Sequence, residues 1–387
     1  GRGHIRKRGK NSWELKFDAG RDPATGKRKI QYHSFRGGKR EAQTKLAELV
    51  AAVGMGTYIS PHKLTVAEHV QTRVDHWQAS EAISPRTAQR YQQMINNQIV
   101  PQIGGKLLQK LSVLDIESWH NELRLRGKQR GQGGIAARTI GSVHRVLSKA
   151  LEEAVKFDLI TRNPCKLQPL PKVPARELQI LVGDEVSVLI AALEGHPMKV
   201  CVITSLFTGM RLGEILALRW SNVNFEDKSI YVREALEETK AHGIRFKGPK
   251  SAAGRRDITL PDIVIETLDK HRREALELRV RLGLGKPPDD ALVFPRLDGS
   301  PQSPSEASRL WCRSAPRLGF PHITFHALRH THASQLIDHG VDVVTIARRL
   351  GHANPTTTLS TYAHLFRETD GAAAAAINAA LTGPGKT

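Results

Sequence analysis

Cysteine is scarce in this chain of 387 residues: Cys165, Cys201 and Cys312 are odd in number and far apart. They match neither a disulfide framework nor a C-x-x-C metal or redox motif, so they read as reduced thiols in a cytosol. Long apolar runs are missing too. No stretch of about 18 apolar residues occurs, and Gly1 to Lys10 is basic where a signal segment is apolar, which argues against membrane insertion and secretion. Acids are the third shortage. There are 38 against 58 lysines and arginines, and 58 − 38 gives a formal charge of +20. What remains is globular: 40% hydrophobic and 25% charged residues bury real cores, and at roughly 150 residues per domain the length suggests two or three domains.

The positive charge is unevenly placed. Gly1 to His62 holds 14 Lys/Arg against 5 Asp/Glu, a net of 14 − 5 = +9, which points to a polyanion partner. A solubilising tail would be equally basic, but this segment carries strand patterning at Trp13, Leu15 and Phe17 and again at Ile30, Tyr32 and Phe35. Turn chemistry at Asp22 to Gly26 separates the two runs, and Ala42, Leu46, Leu49 and Val50 predict a helix over Lys39 to Val53 packed on the sheet. That helix lacks the basic amphipathic character a membrane surface selects, so nucleic acid is the expected partner.

From Leu64 to Arg162 the chain reads as helices only. Val66, Val70, Val74 and Trp77 recur at helical spacing, Ser84-Pro85 looks like an N-cap with proline at the first helical position, and Ser112 with Asp115 caps a helix carrying Ile116, Trp119 and Leu123. Gly127 to Gly134 is a break before a helix marked by Ile140, Val143, Leu147 and Leu151. Prolines 164, 169, 171 and 174 then place the main linker. The remainder is mixed but mostly helical, with strands expected at Ser229 to Arg233 and Arg255 to Leu260, and helices at Met198 to Phe207, Leu212 to Arg219, Ser305 to Leu318, Ala327 to His339, Val343 to Leu350 and Thr356 to His364. There is no internal repeat, and alanine-rich Gly371 to Leu381 can form a short terminal helix.

Three short patterns stand out in the last region: Thr208-Gly209-Met210-Arg211-Leu212-Gly213-Glu214, His326-Ala327-Leu328-Arg329-His330, and Leu350-Gly351-His352 with Tyr362 ten residues on. Their order and spacing resemble the tyrosine recombinase, or phage integrase, family, and the resemblance covers nearly the whole chain. It looks like a three-domain integrase of a phage or conjugative element. The implied architecture is an α+β arm-binding module over 1–62 (three-stranded sheet plus helix), an all-α core-binding bundle over 63–165, a linker over 166–176, a mainly α catalytic domain with a small antiparallel sheet over 177–370, and a tail over 371–387.

The residues themselves suit phosphoryl transfer, in which catalysis is largely positioning and stabilisation of charge on the phosphate oxygens. Arg211, at a turn opening a helix, and Arg329 can clamp one phosphate with their planar forks. Alone, Arg211 would more plainly be an ion pair with Glu214. His326 and Arg329, three apart, share a helix face. The His326 and His330 pair lacks the acid of a zinc H-E-x-x-H site, and His330 and His332 read as structural or supporting. The resemblance assigns His326, Arg329 and His352 to the phosphate and Tyr362 to the nucleophile, a phenol that needs nearby cations or a base. Lys250, on a hairpin loop between the expected strands, fits a general acid; Pro249-Lys250-Ser251 followed by Arg255-Arg256 resembles the family's lysine hairpin, and that resemblance implies Lys250 rather than Lys247.

No cofactor or metal is expected, since no carboxylate cluster accompanies the basic motifs. The resemblance implies double-stranded DNA at core and arm sites as partner, a homotetramer on that DNA, a directionality factor and a DNA-bending protein, no membrane, and a place with the nucleoid in the cytoplasm of a bacterial host. Expected DNA contacts are Arg6, Lys7, Arg8, Lys10, Lys27, Arg28, Lys29 and Arg255. Two rival readings are a type IB topoisomerase, which shares the phosphotyrosine chemistry but relaxes supercoils alone, and a noncatalytic DNA-binding regulator.

Overall fold

The structure is a computed structural model that describes residues 3–21, 26–55, 58–128, 131–174, 178–249, 252–363, 377–378 and 381. The chain divides into two compact units, Gly1–Pro174 and Ala175–Thr387. The break falls within the proline-rich stretch that the sequence marks as linker.

The first unit opens with an antiparallel sheet of β1 (His4–Gly9), β2 (Ser12–Arg21) and β3 (Arg28–Arg36) in that order, followed by α1 (Lys39–Gly54). Side chains alternate across a strand. Leu15 and Phe17 are therefore buried with Ala42 of α1, while Tyr32, paired with Lys16, faces the other way and is exposed. Trp13 donates from its indole nitrogen to the Gly37 carbonyl at 3.0 Å, which ties β2 to the start of α1. Of the expected turn, residues 22–25 lie outside the described residues.

A helical bundle follows: α2 (Val66–Ala79), α3 (Pro85–Met94), α4 (Val113–Arg126) and α5 (Ala137–Lys156). The caps sit where the sequence places them, with the Ser84 and Ser112 hydroxyls accepting from the Thr87 and Asp115 amides. Periodicity does not foretell what comes after α3, where the chain widens into a π-type helix, Ile95–Gly104, with Pro101 inside it; a ring that lacks N–H is accommodated where the regular hydrogen-bond ladder is already broken. Val70, Trp77, Ile99, Ile116, Trp119, Ile140 and Leu147 fill one core, each such side chain contributing about 1.5–3 kcal/mol.

The second unit runs through α6 (Glu185–Ala192), α7 (Lys199–Thr208), α8 (Leu212–Leu216), β4 (Val223–Asn224), β5 (Ser229–Val232), β6 (Ala235–Thr239), β7 (Gly243–Lys247), β8 (Arg256–Thr259), α9 (Asp262–Arg281), α10 (Pro304–Ser314), α11 (Phe325–Asp338), α12 (Val343–Leu350) and α13 (Pro355–Tyr362). The helix expected over Leu212 to Arg219 is shorter. The small sheet has the order β4-β5-β8, and a separate hairpin, β6-β7, stands in sequence between its last two strands. The sequence hides that hairpin because β6 reads Ala-Leu-Glu-Glu-Thr: Glu237 is buried under Arg245 and Lys247 rather than under apolar cover. No helix among the described residues is long and apolar enough to cross a membrane. The terminal alanine-rich segment lies almost wholly outside the described residues.

Candidate active site

Two glycines let the elements of the second unit approach closely enough to build a site. Gly209 ends α7 with φ +69°, and a Cβ there would stand 2.7 Å from the His332 ring; Gly351 ends α12 with the same φ, and a Cβ would meet Arg256 at 2.7 Å. An L side chain in that left-handed region is strained, and here it would also collide. The turn at Gly209 delivers Arg211 to the start of α8.

Arg211 is paired with Glu214 at 2.8 Å, yet nearly half its side chain (45%) stays open to solvent. Glu214 is buried and also bound by Arg256 at 2.9 Å. Burial alone would raise the Glu214 carboxyl, but the charges of Arg256 and Arg211 outweigh it and hold the group below its ordinary value. Arg256 in turn donates to the Arg349 and Gly254 carbonyls at 2.6 and 3.2 Å. The surface ion pair read from the sequence is thus the outer end of a buried chain, Arg256 to Glu214 to Arg211, that fixes an exposed guanidinium in place.

Arg329 lies deeper than expected. Its side chain is buried, and its two terminal nitrogens donate to the Gly209 carbonyl at 2.7 Å, the Leu350 carbonyl at 2.8 Å and His352 Nε2 at 2.9 Å. Those bonds make it a strut between the two glycine turns. Because Nε2 of His352 accepts, its Nδ1 carries the proton and donates to Thr358 Oγ1 at 2.8 Å. Burial, then the charges of Arg329 and Arg211, push His352 down to about 4. It is a neutral, oriented imidazole at physiological pH.

His326 opens α11, capped by Thr324, and keeps solvent access. Partial desolvation and then the charges of Arg329 and Arg211 lower its pKa. Its ring meets that of His330 edge-on at 4.4 Å. Tyr362, at the end of α13, is 1% exposed, and its hydroxyl lies 2.6 Å from His330 Nδ1. Burial pushes the phenol up to about 12, against the pull of Arg329. Arg211, His326, Arg329, His352 and Tyr362 are therefore brought together from α8, α11, α13 and the turn after α12.

Other expectations fare differently. Lys250 lies outside the described residues, in the segment between β7 and β8; its rival Lys247 is held by Glu237 at 2.9 Å. Arg255 is exposed beside buried Arg256. In the first unit, Arg6 pairs with Glu14 across β1 and β2 while Lys7 pairs with Trp13, so the two point to opposite faces. His4, Arg6, Arg8, Glu14, Lys16 and Tyr32 line a shallow hollow on the open face. Lys10, Lys27 and Lys29 are exposed, and Arg28 is exposed in a 2.9 Å pair with Asp18. Sequence reasoning groups His330 and His332 together as supports. The structure separates them: His332 is buried, accepting from Arg349 at 3.0 Å and bonded to the Leu206 carbonyl, whereas His330 touches the phenol. Arg256 and Arg349 escape sequence reasoning as supports, and only a charged residue at an inward strand position, Arg256, signals one of them.

Comparison with known proteins gives a consistent picture. Residues 179–369 match the model described as the phage integrase family, and residues 71–124 match the phage integrase N-terminal SAM-like domain. A protein of Caldanaerobacter subterraneus subsp. tengcongensis named tyrosine recombinase XerC-like is 26% identical over 381 residues, 93% of this chain and 94% of that one. Among solved structures, the Tn1549 transposon integrase in complex with a circular intermediate DNA shares the fold with a TM-score of 0.68 at 19% identity, covering 81% of this chain and 99% of that one. A lambda integrase tetramer bound to a Holliday junction gives 0.54 at 21% identity, covering 92% and 96%.

Proposed function

The chain belongs to the phage integrase family of tyrosine recombinases, and from that premise we propose that it is a site-specific DNA recombinase whose nucleophile is Tyr362. The observation that carries the reading is the meeting of Tyr362 with Arg211, His326, Arg329 and His352 around one position. Arg211 and His326, the solvent-open members, receive the scissile phosphate. Arg329 adds fixed positive potential behind it in a water-poor site, where such charge acts most strongly, and His352 holds that guanidinium in place through its Nε2. The phenolic oxygen attacks phosphorus, leaving a 3′-phosphotyrosyl link and a free 5′-hydroxyl. Lys250 protonates the departing oxygen. Storing the bond energy in the ester removes any need for ATP.

The open face of the N-terminal sheet, with Arg6 and Arg8, suits a second DNA contact at arm-type sites, and the helical bundle suits the core site. Two DNA modules on one chain raise the local concentration of each site for the other. Lambda integrase is seen as a tetramer on a Holliday junction; by analogy four copies of this chain assemble on two DNA sites and pass through a four-way junction, with a directionality factor and a DNA-bending protein as assisting partners.

The test uses a nicked duplex bearing the junction sequence of the integrated element. A denaturation-resistant protein–DNA adduct forms with the native chain and is lost in Tyr362→Phe; complete absence of adduct with binding intact indicates a regulator. Joining of two sites, as opposed to relaxation of a supercoiled plasmid, then separates the recombinase from a topoisomerase.

A further inference from the structure

The histidine that follows Arg329 has no part in the phosphate site as described, yet it is the hydrogen-bond partner of the candidate nucleophile's hydroxyl among the described residues. His330 Nδ1 and the Tyr362 hydroxyl are 2.6 Å apart, with ring centroids at 5.5 Å and an interplanar angle of 66°. Tyr362 is 1% exposed, so bulk water does not reach the phenol to take its proton in this arrangement. We propose that His330 is the proton acceptor of strand cleavage: its Nδ1 lone pair takes the phenolic proton as the Tyr362 oxygen bonds to phosphorus.

This rests on the reading of Tyr362 as nucleophile. The direction of the bond follows from the surroundings. Burial, then the neighbouring His326 and Arg329, push His330 down to about 4, while burial pushes the phenol up to about 12. The resting pair is thus neutral phenol and neutral imidazole, with O–H donating to Nδ1. The same gap forbids transfer before attack, so the proton moves only as the new P–O bond drains charge from the phenolic oxygen. One O–H bond breaks and one N–H bond forms at His330. The P–O5′ bond breaks with its electron pair going to the 5′-oxygen, which takes a proton from the ammonium of the general acid assigned to Lys250. On religation His330 returns its proton to the departing tyrosine.

The experiment measures adduct formation on two versions of the nicked junction duplex, one with the natural 5′-bridging oxygen and one with sulfur in its place, whose thiolate leaves without a proton. His330→Ala is expected to slow cleavage by about 10²-fold or more on both, with DNA affinity and thermal melting near those of the native chain. Lys250→Ala is expected to recover on sulfur only. His330→Asn keeps a side-chain hydrogen-bond acceptor but cannot carry the proton away, so it stays at least about tenfold slow. Native rates in His330→Asn, or recovery of His330→Ala on sulfur, overturn the proposal while leaving Tyr362 as nucleophile. No adduct with the native chain overturns the nucleophile reading and this one with it.

Discussion

Both units bury histidines, and the contrast between them shows what perturbation alone does not reveal. In the helical bundle His120 Nε2 and His144 Nδ1 share a hydrogen bond at 3.0 Å, and His69 bonds the Ala150 carbonyl at 2.8 Å. Burial, then the charges of His120 and Arg145, push His144 down to about 4, as low as His330 and His352. The bundle histidines nevertheless form a closed set, bonded to each other and to backbone. Those of the second unit end on a buried arginine and on a phenol, beside an open guanidinium. A depressed imidazole pKa marks burial; the neighbours decide whether it also marks chemistry.

Four measurements put this contrast at risk. The largest difference is expected in catalysis: His352→Ala frees the Arg329 guanidinium that its Nε2 holds and loses adduct formation by about 10²-fold or more, the scale of disturbing one group of a charge-stabilising site, whereas His144→Gln cleaves at the native rate at neutral pH. Equal losses would erase the distinction. Next comes the buried support. Glu214→Gln leaves Arg256 with its charge uncompensated and is expected to cost about 3–5 kcal/mol in chemical denaturation, while removing the exposed partner in the Arg8–Glu14 pair costs about 1 kcal/mol or less.

The third measurement is the pH dependence of stability. His144 is neutral in folded and unfolded chains above its ordinary value of 6.5, so its contribution is fully present there. As pH falls from 6.5 through about 4 the unfolded chain binds a proton that the folded one refuses, and stability drops by at most about 3 kcal/mol before levelling off. His144→Gln should remove that share of the loss, read as a smaller difference in melting temperature between neutral and mildly acidic buffer. The smallest effect concerns the N-terminal sheet. Neutralising Arg6 and Arg8 is expected to lower the salt slope of arm-DNA binding by up to about 0.9 for each phosphate that no longer meets a cation, and Lys7→Gln, on the opposite face, leaves it unchanged.

Particular residues show how far the sequence reaches. Ser84 and Ser112 announce their roles because a cap depends on a residue and its immediate neighbours. The β6-β7 hairpin and the Pro101 helix do not, since a buried glutamate and an interior proline contradict local rules until distant partners are known. His330 is legible only as one of several histidines on α11. Nothing in its immediate sequence neighbourhood distinguishes it from His332.

The sequence alone determined most of the helices, the N-terminal strands, the basic character of the N-terminal module and the set of side chains proposed for the phosphate, because composition, periodicity and motif spacing are properties of the chain. Only the tertiary structure decided that Arg211 hangs from a buried ion chain, that Arg329 braces two turns, and that Tyr362 rests against His330. Apart from the local Arg211–Glu214 link, those pairings join residues separated by 21 to 120 positions, and burial and charge at such pairings depend on what lies nearby in space.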